Sequence, residues 1–227
     1  MSAAVSPLSS STPSAPGWLH RALRHRSFVI GAVLSALLIL AALLSFVWTP
    51  WSPYEMNLAN KLASPSGTHW LGTDAFGRDV ASLLLVGARN SILVGVIAVG
   101  IGLTIGTALG LLAAAKRGWV EELIMRLADF TFAFPAILSA IMMTAVFGAG
   151  IVNSIIAIGI FNIPTFARVT RASANAVWSR EYIMASRACG KGSWRITLEH
   201  VLPNILSVLI VQATIQFAIA ILAEAAL

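Results

Sequence analysis

Five long apolar runs separated by polar stretches organise this 227-residue chain. Residues 28–47, 91–115, 123–147, 151–169 and 205–222 each hold close to the roughly 20 residues that a helix needs to cross a bilayer. The pattern predicts five membrane spans and an all-α, polytopic helix bundle. Trp48-Thr49-Pro50-Trp51 closes the first run with the aromatic residues of a membrane interface. That ending, and the length of the run, argue for a retained span rather than a cleaved signal peptide. Gly102, Gly106 and Gly110 repeat every four residues in the second run, a spacing that lets helices approach closely in lipid. The third run carries Pro135 inside, and the fourth is expected to break at Pro164, beside Asn162.

Two polar segments stand out. Residues 49–88 make a long loop with Gly-led turns, each supplying an aspartate, Asp74 and Asp79, ahead of an amphipathic helix. Residues 172–203 form a basic island. Within it Tyr182, Ala185, Ser186 and Cys189 fall at i, i+3, i+4 and i+7, the spacing of a helix face. Gly190 then stands where a helix ends in a left-handed residue, and Ser193 is placed to cap a second short helix that puts Trp194, Leu198 and Val201 on one side. Pro203 closes the unit at a first-turn position. A short amphipathic helix pair of this kind reads as a docking surface.

Composition agrees with the bundle: 58% of residues are hydrophobic and 11% charged, against about 25% charged in soluble domains. Residues 1–26 read as a disordered Ser/Ala/Pro tail ending in a basic cluster of His20, Arg21, Arg24, His25 and Arg26. With the N-terminus inside, five spans put twelve Lys and Arg on cytoplasmic segments and three (Lys61, Arg78 and Arg89) outside. The 49–88 loop is therefore expected outside, and the 172–203 stretch in the cytoplasm. Among intramembrane polar residues, Asn162, Pro164, Gln212 and Gln216 are candidates to line a pathway; Gln212 and Gln216 share a helix face and could equally join helices. Arg126 and Asp129, three apart, could pair with each other.

The polar segments carry a resemblance. Ala185-Ser186, Gly190 and Leu202-Pro203 resemble the cytoplasmic loop by which permeases of ABC importers meet their ATPase. Met184 stands at that family's glutamate position and His200 at an isoleucine position. Leu71-Gly72-Thr73-Asp74, Gly77-Arg78-Asp79 and Gly87-Ala88-Arg89 are similar to the segment before the second span in C-type permeases of dipeptide, oligopeptide and nickel importers. The resemblance implies a type I importer permease fold in a bacterial inner membrane, with Tyr182, Met184, Ala185, Ser186, Gly190 and Pro203 in the ATPase-coupling unit. It implies a second homologous permease, two cytoplasmic ATPase subunits that bind ATP and Mg, and a substrate-binding protein outside. The family's sixth span has no counterpart before Leu227, so the expectation is either a truncated product or a sequence that represents part of the protein.

Catalytic patterns are absent. Gly190-Lys191-Gly192-Ser193 lacks the first glycine of a phosphate loop, Gly100-Ile101-Gly102 lacks the third glycine of a dinucleotide fingerprint, and no HExxH occurs. One cysteine and four scattered histidines suggest no metal site, no resident cofactor and no nucleic-acid partner; lipid is the expected surround. The expected function is a non-enzymatic permease subunit for di- or oligopeptides. The alternatives are nickel or another small solute, or a non-transporting membrane scaffold.

Overall fold

The computed structural model describes residues 23–148 and 150–226. The predicted tail up to residue 22 lies outside the described residues, as does Leu227. Apolar continuity becomes helix almost throughout: α1 (Arg26–Val47), α2 (Val80–Lys116), α3 (Gly118–Ala133), α4 (Ala136–Phe147), α5 (Ile151–Trp178), α6 (Glu181–Ala188) and α7 (Ser193–Ala225). An isolated bridge, Thr73 to Asp79, is the extent of β pairing among the described residues. Four helices are long and apolar enough to cross a membrane, or five if α3 and α4 make one broken span.

Packing decides that question. Gly102 of α2 lies against Asn162 of α5, Gly106 against Phe166, and Gly110 against Thr170, so the two helices run parallel. α7 runs antiparallel to α2, since Gly95 meets Phe217 and Ser91 Oγ donates to Glu224 at 2.8 Å. α1 is antiparallel too, with the Arg89 guanidinium over the Phe46 ring. Parallel α2 and α5 leave Lys116 and Ile151 at opposite ends of the bundle, and α3 with α4 must cover that distance. The end holding residues 48–79 is hereafter the loop end, and the one holding α6 the basic end.

The helices depart from the sequence expectation at three places. The third run is not one helix: α3 and α4 are bent by 80°. Pro135 forces the preceding residue out of helical conformation, and Phe134 is extended (φ −97°, ψ 127°). Conversely, Pro164 does not break the fourth span. α5 runs through it unbroken, losing one backbone hydrogen bond while the buried proline packs against α3. The last run is longer than its apolar part, because α7 begins at Ser193 without interruption. Wide π-turns occur at Gly102–Gly106 in α2 and at Thr197–Val201 in α7. The second stands directly before Pro203, whose ring presses on the preceding turn of any regular helix.

α3 is fastened to α5 at the basic end by two ion pairs, Glu121 to Arg171 at 2.7 Å and Asp129 to Arg168. Arg126 pairs with Glu122 at 2.6 Å and not with Asp129, which faces α5 instead. The core lies between α2, α5 and α7, where Val94, Phe166 and Ile205 are buried, and it extends into the basic end through Trp178, Ile183, Ile196 and Val201.

The glycine stripe yields a paired test. A methyl group at Gly106 would come within 2.5 Å of the Ile163 carbonyl oxygen and 2.6 Å of Phe166 Cβ, so Gly106→Ala must separate α2 from α5. It should destabilise by about 1–3 kcal/mol, as overpacking does. Gly100, on the same helix, has open space where Cβ would be. Gly100→Ala should be neutral or stabilising by up to about 1 kcal/mol. Thermal unfolding in detergent should show a lower midpoint for the first variant alone.

Candidate functional site

At the basic end, α5 stops at Trp178, Ser179 and Arg180 turn the chain, and α6 follows. Ile183 is the single buried residue of α6, packed with Trp178, Ile196 and Val201. Tyr182, Met184, Ala185 and Cys189 are exposed, and Ser186 is half-buried. The helix is thus anchored chiefly at Ile183, and much of its remaining surface is open. Arg187 stacks over the Trp178 ring at 4.7 Å.

Gly190 ends α6 with φ +82°. The Gly190 N–H donates to the Arg187 carbonyl at 2.9 Å, and the Lys191 N–H to the Ser186 carbonyl at 3.2 Å. Both bonds of a left-handed helix ending are present, satisfying carbonyls that the helix leaves open. The second helix differs from expectation. Gly192, not Ser193, holds the cap position and contributes no side-chain bond. No separate helix follows, because α7 continues straight into the membrane. Val201 is buried, whereas Trp194 and Leu198 line an open apolar groove along α2. The π-turn between these residues puts them out of the simple helical register that the sequence suggested.

Polar contacts hold α6 to α7. Lys191 Nζ donates to Glu199 Oε2 at 2.7 Å and lies 3.2 Å from His200 Nε2, and Arg195 Nε donates to Glu199 Oε1 at 2.5 Å. The His200 ring meets Tyr182 edge-on at 6.2 Å and lies 3.5 Å from Ser186 Oγ. Glu199 and Ile183 were missed by sequence reasoning. The signal for Glu199 was its i+4 spacing from Arg195; for Ile183 it was being the aliphatic residue on the side away from the small-residue face.

At the loop end, Leu71, Gly72, Thr73, Asp74, Gly77, Arg78 and Asp79 build one folded unit. Asp74 accepts from the Phe76 and Arg78 N–H groups and from the Arg78 guanidinium, all within 2.9 Å. Gly72 (φ +73°) and Gly77 (φ +75°) turn the chain, and a Cβ at Gly77 would lie 1.8 Å from the Asn57 carbonyl oxygen. Asp79 is buried and caps α2: its Oδ2 accepts from the Ser82 N–H and hydroxyl at 2.8 Å, and its Oδ1 meets His69 Nδ1 at 3.0 Å. Ser82 in turn accepts from the Trp51 N–H at 3.0 Å. Partial burial raises both carboxyls, and these hydrogen bonds outweigh it, holding each below its ordinary value of 3.8.

The four pathway candidates separate. Asn162 and Gln216 meet at one cavity of about 420 Å³ between α4, α5 and α7, with Thr165 beside them. Pro164 faces α3, and Gln212 is half-buried away from that cavity. Asn162 Nδ2 is buried without a partner, a state that costs about 1–3 kcal/mol.

Residues 106–227 match the family model described as binding-protein-dependent transport system inner membrane component, and residues 18–65 match the N-terminal transmembrane domain of oligopeptide transport permease C. The chain is 42% identical over 204 residues to the dipeptide transport system permease protein DppC of Alkalihalophilus pseudofirmus, covering 90% of this chain and 67% of that one. It is 36% identical over 219 residues to the glutathione transport system permease protein GsiD of Pectobacterium atrosepticum, covering 95% and 72%. The di/tripeptide transport system permease protein DppC of Pseudomonas aeruginosa is 41% identical over 210 residues, covering 89% and 69%.

The loop generates two expectations. Gly77→Ala meets both a positive φ and a backbone oxygen, so it should open the 49–79 unit to limited proteolysis; Gly67→Ala, with free space around it, should not. Both aspartates have folded-state values below 3.8. Their stabilising contribution is present above the unfolded value and is lost as pH falls through the lower folded values. Protease resistance of the loop should therefore persist at neutral pH and fall below about pH 4.

Proposed function

The chain belongs to the binding-protein-dependent transport system inner membrane component family, and on that premise we propose that it carries peptides inward as half of a translocation pathway. It is a multi-pass membrane permease subunit of an ABC importer, whose partners include an ATPase and a substrate-binding protein. Short peptides are the favoured cargo because the relatives named above are dipeptide, di/tripeptide and glutathione permeases. Those names speak against the nickel, small-solute and scaffold alternatives. A second homologous permease completes the pathway, two ATPase subunits bind ATP and Mg, and this chain supplies no catalytic group.

The observation that carries this reading is the unit made by α6, Gly190 and the start of α7. A short helix held by one buried side chain offers an exposed face, as a partner groove requires. Tyr182, Met184, Ala185 and Ser186 lie on α6, Gly190 sets its ending and Pro203 follows the π-turn, so these residues form the ATPase-coupling unit. Displacing α6 moves Ile183 against Trp178 of α5 and Val201 of α7, and through them two membrane helices. Asn162, Pro164, Gln212 and Gln216 on those helices then change their facing toward the pathway. ATP-bound partners and the loaded binding protein favour different states of this lever. The Leu71–Asp79 unit, at the opposite end, is the platform near the binding protein.

This assigns the basic end to the cytoplasm. Cys189, the single cysteine of the chain, is exposed there. An impermeant thiol reagent should label it in inside-out vesicles stripped of the ATPase and spare it in right-side-out ones. A chain carrying Lys61→Cys and Cys189→Ser should show the opposite pattern; equal labelling from one side would put the orientation wrong. Coupling is tested at Gly190, where a side chain meets no atom within 4 Å and only the left-handed backbone opposes it. Gly190→Val should cost about 1–2 kcal/mol locally and lower ATPase stimulation and transport while the complex still assembles. Unchanged coupling in that variant would remove the docking assignment.

A further inference from the structure

The cavity between α4, α5 and α7 is apolar except at three side chains: Asn162, Thr165 and Gln216. Asn162 and Gln216 are only 6% and 7% exposed, Thr165 is half-buried, and Asn162 Nδ2 is buried without a protein hydrogen-bond partner. Several other polar groups of the spans behave differently. Thr104, Thr131, Thr144 and Thr214 return their hydroxyls to carbonyls of their own helices, and Ser91 reaches across to Glu224. Unpartnered polar groups in a buried wall are the exception in folded proteins; Thr107, Thr170, Asn175 and Trp178 carry one too, and Asn162 is the one that shares this cavity with two further polar side chains. Its volume, about 420 Å³, lies in the range of small-molecule sites.

We propose that this cavity is a binding site for the backbone amide of a peptide in transit. A carboxamide side chain offers both donors and an acceptor, and a hydroxyl offers one of each. Together they can satisfy a peptide N–H and C=O at once. None of the lining residues is charged, so the termini of a zwitterionic peptide stay outside, where their charges keep water or counter-charges. Phe132 and Phe161 bound the space and accept apolar side chains without selecting among them. A site that reads the amide and not the side chain suits cargo of varied sequence. Asn162 is also fixed from behind, because its Cβ lies against Gly102 at the π-turn of α2, so one residue belongs both to this wall and to the α2–α5 contact.

This inference rests on the peptide reading above, and the two can fail separately. The complete importer is reconstituted in proteoliposomes with its binding protein, and uptake of labelled trialanine is measured beside binding-protein-stimulated ATP hydrolysis. Gln216→Leu and the isosteric Thr165→Val should each lower peptide moved per ATP about fivefold or more, the scale of a lost hydrogen bond. Hydrolysis should hold within about twofold of the unaltered complex. Gln216→Asn should recover part of the ratio, and Thr214→Val, whose hydroxyl bonds within its own helix, should leave it unchanged. An unchanged ratio in Gln216→Leu and Thr165→Val overturns the site, as does a proportional fall of uptake and hydrolysis, which marks a purely structural role. If the unaltered complex moves no trialanine, the peptide reading falls at that baseline and this site with it.

Discussion

The α2 and α5 backbones meet at Gly102, Gly106 and Gly110 with no side chain of α2 between them, and the rest of the bundle takes its position from that contact. In lipid, apolar burial does little to join helices, because the acyl chains are as apolar as leucine. What joins them is close approach, and here the stripe lets Phe166 and Thr170 settle directly onto the opposing helix. The contact is parallel, which compels the chain between its two helices to return across the bundle. α3 and α4 do so as a broken pair, tied to α5 by Glu121–Arg171 and Asp129–Arg168. α7 then fills the remaining side, with Phe217 against Gly95.

The same frame gives the basic end its mechanical character. α5 carries Trp178 into the core at its last turn, and Ile183 of α6 packs on that tryptophan together with Ile196 and Val201 of α7. A shift of α6 is therefore shared between two long helices instead of being absorbed by a loop. The Lys191–Glu199–Arg195 cluster spans the turn between α6 and α7, although its members are partly exposed, and solvent screens exposed ion pairs. Apolar packing around Ile183 carries the stiffness. At the loop end Asp79 plays the corresponding part, since its carboxylate joins the start of α2 to His69 and, through Ser82, to Trp51.

Features that depend on local conformation were legible in the sequence. Gly190 had to be left-handed because a helical face stopped one residue earlier, and it is. The glycine stripe announced close packing, though not its partner or its parallel direction. Features that depend on competition between local preference and tertiary contact were not legible. Pro135 and Pro164 look alike in sequence, yet the first separates two helices by 80° and the second sits inside an unbroken one. Pro164 is flanked by positions that pack on α2 and α3, whereas residues 132–135, up to and including Pro135, are exposed. The partner of Asp129 was not legible for a related reason: helical spacing offers Arg126, and only the fold brings Arg168 near. The meeting of Asn162 and Gln216 is likewise a product of tertiary structure, as they lie 54 residues apart (216 − 162).

That meeting bears on how a membrane bundle distributes its polar groups. A hydroxyl or acid facing lipid has strong reason to find a partner, and Ser91–Glu224 and the self-bonded threonines obey it. Each such partner also closes a position, because a satisfied group offers nothing to a passing solute. A translocation pathway needs the opposite condition: polar groups held firmly enough not to rearrange, yet left without partners of their own. The backbone contact of α2 with α5 supplies the firmness, since Asn162 is backed by Gly102 and cannot retreat. In the proposed site the cavity supplies the open space. Where both coincide, the local destabilisation of an unpaired amide becomes tolerable, because the same packing that prevents its relief also holds the helices together.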